Sequence, residues 1–260
     1  MNRIQTLREK FKYLDWNTAW NYFKISPSLW QAMFPKRKWA YLGNSLEKIF
    51  SKESLLMLNL LLPARFTDEL KEKNYSFHSD HPLLLYFFVR YYQPEIMIET
   101  GVARGASSAF ILLAMQENNK GKLYSIDLPP QQAAIQKEDF NNGCSFYELK
   151  DGQGHWINGN LIGDLVPGWL KNRWSLILGH AELELPKLIS RLNQIDIFYH
   201  DSLHTESHMQ FEFQTAWPVI RAGGFLLSHD VFWNNAFYNF AHEQNIKPII
   251  HRSLGILPKT

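Results

Sequence analysis

Short apolar runs alternate with segments of helical periodicity over the last two thirds of the chain. A short apolar run between turn-forming residues is typical of a buried strand, and apolar positions three or four residues apart indicate a helix. The runs predict six strands, at 95–99, 122–126, 175–178, 196–199, 224–228 and 247–251. Helical segments alternate with them at 105–115, 183–192, 205–220 and 232–244. This alternation predicts an α/β protein with helices on the faces of a parallel sheet.

Two regions depart from this alternation. Residues 1–75 have the pattern of short helices, one of which is predicted to end at Pro63. Residues 129–169 are rich in Asn, Gly, Gln and Asp, which predicts a long, partly irregular insertion of the kind that often forms an active-site loop. We therefore predict an N-terminal helical cap over 1–75 and a main domain over 76–260.

The charge of the chain is unevenly distributed. The net charge is only +2, which argues against a dedicated nucleic-acid binder. Residues 1–75 hold 13 Lys and Arg against 7 Asp and Glu, whereas residues 76–260 hold 14 against 18. This basic region predicts either a helical subdomain with solvated lysines or a cap for an anionic substrate or a membrane surface. It could pack on its own domain or on a second copy of the chain in a homo-oligomer.

Composition excludes several classes of protein. The single cysteine, Cys144, excludes a disulfide scaffold and a cysteine-built zinc site, and it fits a reducing compartment. The apolar runs at 55–62 and 83–89 are far shorter than the roughly 20 residues that a membrane-spanning helix needs. No apolar signal core follows the basic N-terminal residues. We expect a cytoplasmic protein.

The first predicted strand runs into a glycine-containing turn that precedes a helix, and the sequence from Glu99 reads ETGVARGASS. Gly101 allows close approach of a ligand, Gly105 allows close helix–strand packing, and the helix start presents free N–H groups. The next strand ends at Asp127, which could accept both hydroxyls of a ribose. Glu99 would repel a pyrophosphate and favour a ligand with an amino group. The alternatives are an ordinary strand–helix turn, and a helix cap or turn former at Asp127.

This turn resembles the first motif of the class I S-adenosylmethionine-dependent methyltransferases, acidic-x-Gly-x-Gly-x-Gly. The motif falls here on Glu99, Gly101, Ala103 and Gly105, with alanine at the middle glycine. The likeness is closer to the small-molecule O-methyltransferase branch that includes macrocin- and catechol-type enzymes, and it covers roughly residues 80 to 255. It implies a Rossmann-like, doubly wound, mostly parallel seven-stranded sheet. It also implies S-adenosylmethionine as cofactor and a small molecule as methyl acceptor.

The resemblance further implies which residues contact the cofactor. Glu99 and Gly101 would line the methionine part, Asp127 would bind the ribose, and the turn after the third strand would reach the adenine. The family usually has Asp after Gly in that turn, where this chain has His180. The predicted cofactor-binding residues are Glu99, Gly101, Ala103, Gly105, Ser107, Asp127, His180 and Asp201.

Two predicted strands end with the same dipeptide, His200-Asp201 and His229-Asp230. Because the carboxyl ends of adjacent parallel strands meet at one rim of the sheet, we expect these side chains to lie together where ligands bind. Carboxylates suit hard divalent cations, and imidazoles are accepted by Mn, Fe, Co or Zn. A metal there could lower the pKa of a substrate hydroxyl, and His204 is the candidate general base.

Metal-dependent members of the resembled branch place Asp after the fourth strand and Asp-Asp or Asp-Asn after the fifth. The resemblance therefore implies Asp201, His229 and Asp230 as metal ligands, and Asp201, His204 and His229 as catalytic residues. His229 replaces a usual carboxylate or amide, which favours a softer metal than Mg or an enzyme that uses histidine alone. In the alternative reading, the aspartates are helix caps, His204 and His208 form a surface pair, and His200 points away.

Three functions follow from these observations. The leading hypothesis is methyl transfer to a hydroxyl of a sugar-bearing, phenolic or lipid-like small molecule, under a roof built from the aromatic side chains. The candidates for that roof and for acceptor contacts are Trp16, Trp20, Trp30, Trp39, His155, Trp156 and Asn160. A nicotinamide-dependent oxidoreductase is weakened by Glu99 and by the absence of Gly-x-Gly-x-x-Gly. A non-catalytic binding protein stays open because of Ala103 and His229.

Overall fold

The computed structural model describes residues 62–75, 81–128, 162–251 and 253–260. The chain divides into two compact units, Met1–Leu83 and Leu84–Thr260. The predicted domain boundary near residue 75 stays a prediction. Most of the predicted cap and of the insertion at 129–169 lies outside the described residues. So do Cys144, the four N-terminal tryptophans and the three candidate acceptor contacts His155, Trp156 and Asn160.

Seven strands of the second unit form one sheet. They are β1 (Ile96–Thr100), β2 (Lys122–Asp127), β3 (Trp174–Leu178), β4 (Ile195–His200), β5 (Ile220–Ser228), β6 (Ile249–His251) and β7 (Leu254–Pro258). Their order is β3-β2-β1-β4-β5-β7-β6. The first five pair in parallel, and β7 lies antiparallel between β5 and β6. The predicted Rossmann-like, mostly parallel seven-stranded sheet is confirmed.

Six α-helices lie among the described residues. They are α1 (Ala64–Glu72), α2 (His81–Tyr92), α3 (Ala106–Glu117), α4 (Ala181–Leu192), α5 (Glu206–Ala216) and α6 (Ala236–Glu243). Two short 3-10 helices, Gly168–Arg173 and Trp217–Val219, precede β3 and β5. In the described parts of the chain, no helix is long and apolar enough to cross a membrane.

The predicted elements match the observed ones, with differences that have physical reasons. The predicted helix 205–220 ends at Ala216, because Pro218 cannot continue an α-helix and the chain tightens to a 3-10 turn before β5. The helix predicted from residue 232 begins at Ala236, after a turn. Strand β7 was missed because it follows β6 after only two residues. Pro63 occupies the N-cap position of α1, and the helix predicted to end at Pro63 falls almost wholly outside the described residues.

The core of the second unit lies between the sheet and its helices. Helix α3 is buried from Ser107 to Met115, which explains why its apolar residues surround it instead of forming one stripe. At the amino-terminal edge of the sheet, the carboxylate of Asp196 accepts the N–H groups of Glu95 and Ile96 and pairs with Arg221. The opposite edge, where β1, β2 and β4 end, carries the candidate site.

Candidate active site

The turn after β1 has a left-handed backbone at three alternate positions. The φ angles are +82° at Gly101, +49° at Ala103 and +85° at Gly105. A Cβ atom on Gly101 would lie 2.0 Å from the carbonyl oxygen of Asp201, so only glycine lets the ends of β1 and β4 approach this closely. Ala103, which replaces the middle glycine of the resembled motif, also has this left-handed conformation, which costs L-residues about 1–2 kcal/mol.

The carboxylate of Asp127 fastens this turn to the end of β2. Its Oδ2 accepts the N–H groups of Val102 at 3.1 Å and Ala103 at 2.7 Å, and its Oδ1 accepts the N–H of Leu128 at 2.8 Å. Burial raises the pKa of Asp127, and the backbone hydrogen bonds oppose that rise. The predicted contact with a ribose stays a prediction.

The carboxylate of Glu99 lies inside the protein and is bonded to three hydroxyl groups. Ser107 and Ser108, at the start of α3, donate to it at 2.5 Å, and Ser125 of β2 donates at 2.7 Å. Burial raises the pKa of Glu99 to about 7. Glu99 thus ties β1 to α3 and β2, and Ser107 takes part through its hydroxyl. The cofactor contacts predicted for Glu99 and Ser107 stay predictions.

The returning end of the insertion binds the same turn. Arg104 forms a two-point ion pair with Asp164, with Nε–Oδ1 at 3.1 Å and a terminal nitrogen–Oδ2 at 2.7 Å. The N–H groups of Gly163 and Leu165 donate to the carbonyl oxygens of Ala103 and Arg104. Sequence reasoning missed this pair, since nothing in the local pattern relates two residues that are 60 positions apart.

A cleft opens at the carboxyl edge of the sheet. Its walls come from the turn after β1, the end of β2, the start of α4, the segment after β4 and the first turn of α5. The lining residues are Gly101, Ile126, Asp127, Leu128, Gly179, His180, Ala181, Glu182, Ser202, Leu203 and His208. Three predicted cofactor residues, Gly101, Asp127 and His180, are among them. The other five support or flank this cleft and do not line it.

The two His-Asp strand ends meet beside the cleft, as the sequence predicts. His229 Nδ1 lies 3.2 Å from Asp201 Oδ1 and 3.4 Å from Asp230 Oδ2, and its Nε2 lies 2.9 Å from the hydroxyl of Ser253. His204 Nε2 lies 3.8 Å from Asp201 Oδ1 and 4.0 Å from Asp230 Oδ2. We refer to Asp201, His204, His229 and Asp230 as the rim cluster.

The two histidines of the rim cluster have opposite electrostatics. Burial alone would lower the pKa of His229, but its hydrogen bonds to Asp201 and Asp230 and their charges raise it to about 10. Burial and the neighbouring His200 lower the pKa of His204 to about 4. Its buried Nε2 makes no hydrogen bond within the described part of the chain. At neutral pH, therefore, His229 is a cation and His204 is a neutral imidazole that can accept a proton.

The rim cluster also has the donor set of a cation site. Asp201, His204 and His229 offer ligand atoms that all lie within 4.8 Å of one another. This trio includes His204, whereas the predicted trio included Asp230. A carboxylate with two imidazoles suits Mn, Fe, Co or Zn better than Mg. The unpartnered Nε2 of His204 fits such an ion, and the engaged ring nitrogens of His229 would have to be released.

Two of the three alternative interpretations of these residues do not hold, and the third, that His200 points away, does. The N-caps of α5 and α6 are Thr205 and Asn235, so neither aspartate caps a helix. His204 precedes α5 and His208 is buried, so they do not form a surface pair. The Nδ1 atom of His200 lies 2.6 Å from Oε2 of Glu212, so His200 bonds a buried carboxylate outside the rim cluster.

Beneath the cleft, a second polar network surrounds the fully buried carboxylate of Glu212. The hydroxyls of Thr100 and Ser202 donate to it at 2.6 and 2.9 Å, and His208 Nε2 lies 2.9 Å from Oε1. Sequence reasoning missed Glu212. The spacing of four residues between His208 and Glu212 was the available signal, because it places both side chains on one face of a helix.

This network predicts a loss of stability at alkaline pH. Burial would lower the pKa of His208, but the charges and hydrogen bonds of Glu212 and Glu182 raise it to about 10, above the unfolded value of about 6.5. The stabilisation is therefore fully present below about pH 6.5 and is lost as the pH rises towards 10. Denaturant unfolding between pH 6.5 and 10 should show a flatter dependence in His208→Gln than in the wild type. Parallel curves would refute this, and the exposed His242→Gln variant is the control.

The comparisons with known proteins agree with this geometry. A family model described as a methyltransferase domain matches residues 98–231, a little over half of the chain. The chain belongs to this methyltransferase family. The match runs from β1 to just past the rim cluster, so it includes the turn, the cleft and both His-Asp strand ends. No curated protein sequence matches this methyltransferase.

Solved structures share its fold at low sequence identity. The SAH-bound methyltransferase PaMTH1 of Podospora anserina is 15% identical, with 81% of this chain and 97% of that chain covered and a TM-score of 0.50. Two further structural neighbours carry provisional assignments. One is a caffeoyl-CoA O-methyltransferase of Staphylococcus aureus, and the other is an O-methyltransferase of Klebsiella pneumoniae. The first is 14% identical (80% and 99% covered, TM-score 0.52), and the second is 12% identical (83% and 100% covered, TM-score 0.50). The predicted resemblance and the prediction of a methyltransferase are confirmed.

Proposed function

We propose that this methyltransferase transfers a methyl group from S-adenosylmethionine to a hydroxyl of a small molecule. The observation that carries the proposal is the buried imidazole of His204, whose Nε2 makes no hydrogen bond among the described residues and lies beside two aspartates at the same rim as the cleft. Asp201 connects the rim cluster to the cleft, because the next residue, Ser202, lines the cleft. The cytoplasmic location and the homo-oligomer stay predictions.

The lining of the cleft fits the cofactor by its charge. The carboxylates of Asp127 and Glu182 line it, together with apolar side chains such as Leu128, and its described lining contains no Lys or Arg. His208 also lines it, but carboxylates bind both of its ring nitrogens. This setting suits a neutral nucleoside attached to a positive sulfur, and it would repel the pyrophosphate of a nicotinamide dinucleotide. When bound, S-adenosylmethionine supplies a methyl group on a positively charged sulfur. The SAH-bound state of the Podospora anserina neighbour supports this assignment.

Residues of the rim cluster divide the remaining work. His204 is in its proton-accepting form at neutral pH and can take the proton of an acceptor hydroxyl at Nε2. The imidazolium formed in this way would lie 3.8 Å from Asp201 and 4.0 Å from Asp230, whose charges stabilise it. Tyr199 donates its hydroxyl to Asp201 Oδ2 at 3.0 Å and so fixes that carboxylate. His229 holds both aspartates in place from the other side.

The acceptor surface has an aromatic character. Phe232 and Trp233 lie two and three residues after Asp230 and are 62% and 38% exposed. The ring of Trp233 lies 5.1 Å from the ring of His204, measured between centroids. Exposed aromatic rings beside a proton-accepting group favour an acceptor with a phenolic ring or a sugar face.

We also propose that a divalent metal can bind the rim cluster. Such an ion would lower the pKa of an acceptor hydroxyl. We expect Asp201→Ala and Asp230→Ala each to abolish a dependence of activity on added Mn²⁺ or Zn²⁺ in EDTA-treated protein. Glu206→Ala, an exposed carboxylate at the start of α5, serves as the control. If wild-type activity ignores EDTA, the metal proposal is wrong and His204 must act alone.

The proposed function is tested by methyl transfer itself. Purified protein is incubated with methyl-labelled S-adenosylmethionine and a panel of phenolic and sugar-bearing hydroxyl compounds, with amines and carbon nucleophiles for comparison, and the label in each product is measured. Transfer to a hydroxyl oxygen is the expected result. Cofactor binding without transfer to any class of nucleophile would favour the non-catalytic alternative, and transfer only to nitrogen or carbon would contradict the O-methyltransferase assignment.

A further inference from the structure

The cleft and the strand ends beneath it are connected by a continuous set of polar contacts. Glu212 of α5 is completely buried and is contacted by four polar groups, three of them from other parts of the fold. They are the Thr100 hydroxyl at the end of β1, His200 Nδ1 at the end of β4, the Ser202 hydroxyl after β4, and His208 Nε2 from its own helix. A carboxylate without access to water stays ionised only with such compensation.

His208 extends these contacts to the surface of the cleft. Its Nδ1 lies 2.7 Å from Oε1 of Glu182 in the first turn of α4, and its Nε2 faces Glu212. Both ring nitrogens are therefore engaged by carboxylates from two different helices. His208, Glu182 and Ser202 all line the cleft. The side chain of Glu182 is 47% exposed, and the contact with His208 is the hydrogen bond that fixes its carboxylate in the wall.

We propose that His208 is a positioning residue of the cofactor cleft, which bridges Glu212 to Glu182 and thereby holds the α4 wall ready for the nucleoside part of the cofactor. This inference rests on the proposed function, because it assigns the cleft to S-adenosylmethionine. A side chain held in place before binding loses less conformational freedom when the ligand arrives, and the gain appears as affinity. No other helix start in the described part of the chain carries a glutamate bonded to a histidine of a neighbouring helix.

The bridge is tested by a double-mutant cycle on cofactor affinity. Glu182→Gln, His208→Gln and the double variant are titrated with S-adenosylhomocysteine by calorimetry, and cofactor KM and kcat are measured for each. We expect each single variant to weaken binding by about ten-fold, the scale of one charge-assisted hydrogen bond, and to raise KM by more than it lowers kcat. The double variant should bind about as weakly as one single variant, because both changes break the same bridge.

Glu184→Gln is the matched control. It removes a carboxylate from the same first turn of α4, where the glutamate pairs with Lys187 and does not line the cleft. It therefore reproduces the lost charge at the helix start without touching the bridge, and its affinity should equal that of the wild type. Melting temperatures of all variants separate a loss of affinity from a loss of folding.

Three results would overturn the bridge. The effects of the two single variants could multiply in the double variant, Glu184→Gln could weaken binding equally, or Glu182→Gln could leave affinity unchanged. The first result would mean that His208 and Glu182 act independently. The second would mean that any negative charge at the start of α4 has this effect, and the third that Glu182 does not contribute to affinity. A failure of the proposed function looks different, because the wild type itself would then not bind S-adenosylhomocysteine.

Discussion

Replacing Gly101 with alanine is expected to abolish cofactor binding and to destabilise the fold by several kcal/mol. The added Cβ would lie 2.0 Å from the carbonyl oxygen of Asp201, 2.4 Å from its carbonyl carbon and 2.8 Å from the Cα of Ser202. All three are backbone atoms, so no side chain can rotate away. The φ of +82° adds strain for any L-residue. The chain can relieve the overlap only by separating the ends of β1 and β4, which carry the cleft and Asp201.

The measurements are thermal unfolding and calorimetric titration with S-adenosylhomocysteine. Gly168→Ala is the matched control, because a Cβ at Gly168 would have no atom within 4 Å and its φ lies outside the left-handed region. We expect it to fold and bind like the wild type. If Gly101→Ala binds the cofactor with wild-type affinity, the turn after β1 is not the place where the cofactor lies.

Replacing His204 with glutamine is expected to lower turnover by about 10²-fold or more, while cofactor affinity is kept. This is the usual contribution of a general base. Glutamine has similar size and polarity but cannot take up a proton near neutral pH. His204 does not line the cleft and makes no hydrogen bond through Nε2 within the described residues, so the change should leave the fold intact.

The measurement is single-turnover methyl transfer at saturating cofactor, with His242→Gln as the control at an exposed histidine of α6. A His204→Gln rate within a few-fold of the wild type would remove His204 from the role of base. Asp201 or Asp230 would then be the next candidate. Ser253 bonds His229 and not His204, so Ser253→Ala should not reproduce the His204 defect.

The strands and helices were predictable because their apolar periodicity is a local property. The predicted strand 122–126 and the observed β2 (Lys122–Asp127) differ by one residue. Helix α2, by contrast, was not predicted. It contains the apolar run at 83–89, which has no polar face to reveal a helical period. Strand β7 was not predicted either, because its register depends on pairing with β5 and β6 and not on a local pattern.

The rim cluster was predictable because topology brings it together. Two adjacent parallel strands that lead into His-Asp bring Asp201 and Asp230 to the same rim of the sheet, although the register places Ser228 opposite His200. The environment of each side chain was not predictable in this way. The sequence predicts a cofactor contact for Glu99, which stays a prediction, but it does not reveal the three serine hydroxyls that bond the buried carboxylate. Glu212 was not predicted because its partners Thr100 and His200 lie on other elements, the strands β1 and β4, and no local pattern relates them to α5.

The central claim is that the cleft between the turn after β1 and the start of α4 binds S-adenosylmethionine. Calorimetric titration of the purified protein with S-adenosylmethionine, S-adenosylhomocysteine and NADH tests it most directly. We predict saturable binding of both sulfur compounds at a ratio of one per chain, lost in Gly101→Ala, and no binding of NADH, whose pyrophosphate would meet Asp127 and Glu182. Tight binding of NADH without binding of either sulfur compound would contradict the account.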